Sequence, residues 1–181
     1  MTTPAQSVQS GGRRVGPLAL GVSLLVIGVA LSYFALTRRW GYYSGIPLDP
    51  SQLIPEDRAS LTVWWWDQTN NFCGPFPAIW PAVVTLSAIP LIVAAIRQRA
   101  ASPVWIRIGL LGAVFGAITV LIAMWTFVEF SYFHDSGWVY AADTGALAMA
   151  LAGYALLFLA ILTLRQASET SAQPLPSHAS G

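Results

Sequence analysis

The chain alternates between long runs without a single charged residue and shorter stretches where charges, prolines and aromatics collect. Four runs stand out: Gly16 to Leu36, Phe76 to Ile96, Ile108 to Val128 and Thr144 to Leu164. Each holds about 20 residues, or roughly 30 Å of helix at about 1.5 Å per residue, which equals the thickness of a bilayer's hydrocarbon core. Charges bound them, with Arg13 and Arg14 before the first, Arg38 and Arg39 after it, Arg97 after the second, Arg107 and Glu129 around the third, and Asp143 and Arg165 around the fourth. The strict alternation and roughly 10-residue length of barrel strands are missing. The pattern therefore predicts an all-α integral membrane protein, a four-helix transmembrane bundle over residues 16–164. Loops 37–75 and 129–143 leave one side, and residues 1–15 and 165–181, rich in Ser, Thr, Ala, Gln, Gly and Pro, read as disordered cytoplasmic tails. The first run exceeds the usual signal-peptide core of about 7 to 15 residues and no small-residue cleavage site closes it, so it reads as a retained helix.

Composition agrees with that pattern and narrows the chemistry. Only 9% of the residues are charged and 55% are apolar or aromatic, with a mean hydropathy of +0.59, whereas a soluble domain carries about 25% charged residues. All nine basic residues are arginine, a bias that fits arginine's GC-rich codons and hence a bacterial origin, with the plasma membrane as the expected site. Arginine near span ends is retained in the cytoplasm. With the N-terminus inside, the inner segments hold Arg13, Arg14, Arg97, Arg99, Arg107 and Arg165, and the outer ones hold Arg38, Arg39 and Arg58. Seven of the eight acids, all but Glu169, then lie outside. The orientation predicted is N-in and C-in, with the Arg38 and Arg39 pair as the one feature pulling the other way.

Lipid supplies no hydrophobic drive between helices, so close packing requires small side chains. The third span has Gly109, Gly112 and Gly116, and the fourth has Ala146 and Ala150 at spacing four. The short loop between these spans makes them the expected tight pair. In the second span Pro90 removes the donor for the Leu86 carbonyl and predicts a bend, with Thr85 and Ser87 near enough to compensate.

The two outer loops are rich in aromatics. The first contains Trp40, Tyr42, Tyr43, the run Trp64, Trp65, Trp66, and Phe72; the second contains Phe130, Tyr132, Phe133, Trp138 and Tyr140. Such residues belong at the headgroup level, and a connection as long as residues 37–75 is expected to fold into a small cap rather than stay structureless. Leu61 to Trp66 fits a short strand or an interfacial helix. Trp64, Trp65, Trp66 and Trp138 form the candidate partner surface. Glu129, His134, Asp135 and Asp143 form a candidate polar cluster, because one histidine with carboxylates suits a divalent ion or a proton; Asp143 is equally explained as an N-terminal helix cap. The layout of four spans with a long aromatic first outer loop is similar to that of claudin-like proteins, but the Gly-Leu-Trp and cysteine pair of that family's loop are absent, and the similarity stops at layout.

Most catalytic chemistry lacks its parts. Cys73 is the single cysteine, so no internal disulfide or Cys-x-x-Cys pair exists. No phosphate loop, Gly-x-Ser-x-Gly or His-Glu-x-x-His occurs, and no ionisable group lies inside a span, where pumps place theirs. No catalytic residue, metal ligand, cofactor or nucleic-acid partner is expected. The reading is a non-enzymatic membrane protein, an accessory or assembly subunit of an envelope complex. It would contact the bilayer and a membrane-protein partner or a second copy through its outer loops. The alternative is a small transporter or lipid-handling protein using the Pro90 bend with Glu129 and Asp143.

Overall fold

The computed structural model describes the backbone of residues 5–37, 39–45, 60–64, 76–132, 138–142 and 144–172, with side chains described for 16–37, 78–123, 125 and 144–172. Four helices, α1 (Ala5–Thr37), α2 (Phe76–Ile96), α3 (Pro103–Tyr132) and α4 (Thr144–Ala172), are joined by strands β1 (Arg39–Gly45), β2 (Ser60–Trp64) and β3 (Trp138–Ala142). All four helices contain a stretch long and apolar enough to cross a membrane, the architecture of a multi-pass membrane protein. The all-α reading holds for the bundle but leaves out the sheet, into which both long connections fold in part.

Three helices outrun the apolar runs that predict them. α3 begins at Pro103, ahead of Arg107, and α4 continues past Arg165 to Ala172. α1 likewise begins at Ala5, within a segment read as tail. An arginine marks where hydrocarbon ends, and it is also a good helix former, so it does not stop a helix. Pro103 follows Ser102, a favourable pairing for the first helical residue and the one before it. Past the apolar run, Arg165 Nε donates to Glu169 Oε1 at 2.7 Å, one turn along the exposed face of α4.

α2 ends where its sequence predicts. Its last turn is closed by two bonds, the Arg99 amide donating to the Ala94 carbonyl at 2.9 Å and the Gln98 amide to the Ala95 carbonyl at 3.2 Å. This is the Schellman arrangement, and the residue it puts in the left-handed region is Gln98, with φ of 53°. Glycine is usual there, because a Cβ costs energy in that conformation.

The bundle's closest seam joins α1 and α4, followed by α2 and α3; the α3–α4 pair expected to be tightest ranks below both. The reason lies in glycines on α1. A Cβ on Gly28 would lie 3.0 Å from the Gly153 carbonyl oxygen, and one on Gly153 would lie 2.5 Å from Ser32 Oγ and 2.8 Å from the Ser32 amide nitrogen. The two backbones touch at this crossing. One heptad earlier, a Cβ on Gly21 would meet Leu164 Cδ2 at 2.8 Å. The α3 glycines divide between two neighbours. Gly109 lies under Ser87 of α2 and Ile161 of α4, Gly112 lies against Val84 of α2, and Gly116 takes the ring of Tyr154 from α4, whose Cζ a Cβ would approach to 2.6 Å. Ala146 and Ala150 are buried.

Leu91, Leu157, Ile161, Leu164, Val84 and Val120 fill the interior, while Leu86, Leu111, Phe115, Ile122 and Trp125 are exposed on the outside. Large apolar side chains facing outward all along the helices suit lipid, not water. The few buried hydroxyls bond their own helices: Ser32 Oγ donates to the Gly28 carbonyl at 2.8 Å, Ser87 Oγ to that of Val84 at 2.7 Å and Ser168 Oγ to that of Arg165 at 2.8 Å. No buried side-chain polar atom among the described residues lacks a partner.

Candidate functional site

The end of the bundle that carries the two long connections is built from parts distant in sequence. β1 leaves α1 almost at once, β2 belongs to the segment leading to α2, and β3 links α3 to α4. They form one antiparallel sheet in the order β2-β1-β3. Tyr43 pairs with Leu61 on one side and Tyr140 on the other, and Gly45 pairs with Trp138. The β1–β2 register slips between Arg39 and Gly41, leaving Trp40 as the extra residue of a bulge.

Strand alternation then sorts the positions. Tyr43, Leu61, Val63, Trp138 and Tyr140 belong to one face, and Tyr42, Ser44, Ser60, Thr62, Trp64, Val139 and Ala141 to the other. Both faces carry aromatic and aliphatic residues in sequence, and the hydroxyls of Ser44, Ser60 and Thr62 are confined to the second. An isolated two-stranded ribbon is marginal in water, so β3 from the second connection completes what the first starts. Of the sequence-predicted partner surface, Trp64 is the last residue of β2, opposite Arg39 at the bundle-proximal end of the sheet, and Trp138 opens β3 at its distal end. Trp65 and Trp66 lie outside the described residues.

Beneath the sheet, aromatic side chains join three helices. Tyr33 Oη of α1 donates to the Ala78 carbonyl of α2 at 3.0 Å. Trp80 of α2 stacks on Phe115 of α3 with ring centroids 5.6 Å apart and planes inclined by 26°, and its Nε1 donates to Thr119 Oγ1 at 3.1 Å. Thr119 in turn donates to the Phe115 carbonyl at 2.7 Å. Each amphipathic ring presents an apolar body to its neighbours and sends its one polar atom to an acceptor on another helix. In the sequence Trp80 and Thr119 stand only as residues of the second and third apolar runs. Their pairing and the role of Tyr33 needed the helix order, which one sequence does not display.

The candidate polar cluster is not brought together by the described residues. Glu129 falls in the last turns of α3, while His134, Asp135 and Asp143 lie outside the described residues. Among the described residues no group of three or more His, Cys, Asp or Glu gathers in a way that could hold a metal ion. Pro90 sits inside an unbroken α2, partly buried. Thr85 does not serve the carbonyl that Pro90 leaves, since it donates to that of Pro81 at 2.7 Å, and Ser87 likewise turns to Val84.

At the opposite end lie the start of α1, the α2–α3 turn and the end of α4, so Arg13, Arg14, Arg97, Arg99, Arg107 and Arg165 share it. Six of the nine arginines thus gather at the end away from the sheet. No family model matches the chain, and no curated protein is significantly similar to it in sequence.

Proposed function

We propose that this protein is a non-enzymatic accessory or assembly subunit of a bacterial envelope complex, held in the plasma membrane N-in and C-in, and that it recognises a membrane-protein partner through the sheet end. The observation that carries this reading is the three-stranded sheet, which draws strands from both long connections and brings Tyr43, Trp138 and Tyr140 together on one face, with Tyr42 and Trp64 on the other. Rigid aromatic residues on a fixed scaffold lose little entropy on binding and dominate interface energies. The gathering of six arginines at the other end supports the orientation, through the retention of basic residues on the cytoplasmic side.

The test is purification in mild detergent of the wild type beside Trp138→Ala and Trp64→Ala. A stoichiometric complex is expected from the wild type, and loss of a central aromatic weakens such interfaces by about 2 kcal/mol, roughly 30-fold. A lone monodisperse species, or a complex indifferent to both substitutions, refutes the proposal. Orientation has its own assay, because Cys73 is the chain's single thiol and lies in the first long connection. A membrane-impermeant maleimide should label it in intact cells; labelling only after the membrane is opened reverses the topology.

A further inference from the structure

The arginines at the end opposite the sheet are not equivalent. Arg165 has its charge met by Glu169 at 2.7 Å. Arg97, Arg99 and Arg107 are exposed, and no ion pair or side-chain hydrogen bond with the described residues engages them. Among the described residues the one acid at this end is Glu169, which is engaged by Arg165.

These three are also held on a fixed scaffold. Arg97 and Arg99 flank Gln98 in the Schellman turn that ends α2, and their own amides donate to the Val93 and Ala94 carbonyls, each at 2.9 Å. Arg107 stands one turn into α3, about 6 Å along the helix from Pro103. Directly beside them the surface becomes apolar, with Ile96 65% and Val104 56% exposed and Trp105 half-exposed. Guanidinium groups with no acidic partner among the described residues therefore border hydrocarbon-facing side chains, with an indole at the boundary where indoles favour the headgroup level.

We infer that the α2–α3 turn is a binding site for an anionic phospholipid, its phosphate received by Arg97, Arg99 and Arg107 and its acyl chains lying along Ile96 and Val104. Guanidinium suits phosphate because its planar fork donates two parallel hydrogen bonds. A soluble phosphate could satisfy the arginines but would leave the adjoining apolar surface unused, and it is that continuity which favours a lipid. Each basic residue near an anionic headgroup layer contributes about 5-fold in binding, so three together give on the order of 100-fold.

The test is native mass spectrometry of the purified protein with an equimolar mixture of phosphatidylglycerol and phosphatidylcholine. Wild type and Arg165→Gln should both bind phosphatidylglycerol preferentially, and R97Q/R99Q/R107Q should bind the two lipids alike. Because removing three positive charges could disturb insertion, a photoactivatable phosphatidylglycerol is cross-linked to the wild type in parallel. Adducts mapping to residues 96–107, and not formed by the phosphatidylcholine probe, are expected. Cross-links spread evenly over the helices, or equal adducts from both lipids, overturn the inference. Displacement of the lipid by millimolar inorganic phosphate overturns it as well, since the site would then be reading the free anion.

Discussion

Replacing Gly153 by alanine adds one methyl group at the place where α1 and α4 come closest. The new Cβ would sit 2.8 Å from the Ser32 amide nitrogen and 3.1 Å from the Gly28 carbonyl oxygen. Both are backbone atoms of a helix, so neither can swing aside as a side chain would. Ordinary contact begins near 3.4 Å, and the two helices must move apart by about 0.6 Å at the crossing. A gap of that size forfeits between a quarter and a half of each dispersion contact, individually about 0.1–0.2 kcal/mol. Over some tens of atom pairs along the seam the loss is about 1–3 kcal/mol, the usual range for an overpacked site. Alanine's better helix propensity returns about 1 kcal/mol, so a net loss of about 0–2 kcal/mol is expected, and about 1–3 kcal/mol relative to a glycine-to-alanine change that meets no neighbour. Gly16 is the internal control. It lies in α1, the helix that Gly153 packs against, a Cβ there meets nothing within 4 Å, and Gly16→Ala should be neutral or slightly stabilising. The assay is reversible unfolding in mixed micelles on raising the SDS fraction, followed by the fluorescence of the eight tryptophans. If Gly153→Ala is as stable as Gly16→Ala, the close-seam account of this bundle is wrong.

Three further outcomes follow from contacts already described. Gln98→Gly should raise stability by about 0.5 kcal/mol, since relief of the left-handed backbone strain slightly exceeds the entropy glycine adds to the unfolded chain; Gln98→Val should lower it, and equal thermal midpoints for the three proteins would show that the turn carries no strain. In a double-mutant cycle of Trp80→Phe and Thr119→Val, the hydrogen bond across α2 and α3 should appear as a coupling of about 0.6–1.5 kcal/mol; a coupling near zero would mean that Trp80 acts only through its stack on Phe115. Glu169→Gln should change stability by less than about 0.5 kcal/mol, because both partners are half-exposed and such pairs are screened by water and salt. A larger loss would show that the α4 extension matters more than its exposed pair suggests.

Most of the bundle was legible from one property, the absence of charge over a bilayer's thickness, and α2 ends where that property puts it. It failed at helix ends that leave the bilayer, because Arg107 and Arg165 mark an interface that α3 and α4 simply cross. The tight seam was misread for a different reason. Small residues on α3 and α4 are conspicuous, but Gly21, Gly28 and Ser32 of α1 lie along one stripe at heptad-like spacing, and only the pairing of first with last helix shows what that stripe is for. In the connections, Leu61 to Val63 alternates too briefly to choose between strand and helix. β3 was read as plain loop because its pairing partner, β1, is some hundred residues away, and no local pattern encodes such a partner.

The pairing of α1 with α4 also sets an order of events at the ribosome. The first helix to enter the membrane is cut for the last one made, so through most of synthesis the notches at Gly21 and Gly28 face lipid or a chaperone. α2 and α3 can dock as soon as α3 emerges, and β1 can meet β2, but β3 waits. A chain released after α3 would therefore be inserted yet unfinished, with its most intimate surface unoccupied and its sheet one strand short. Such a product is a natural substrate for membrane quality control, and the final helix acts as the clasp that distinguishes a completed molecule from a truncated one.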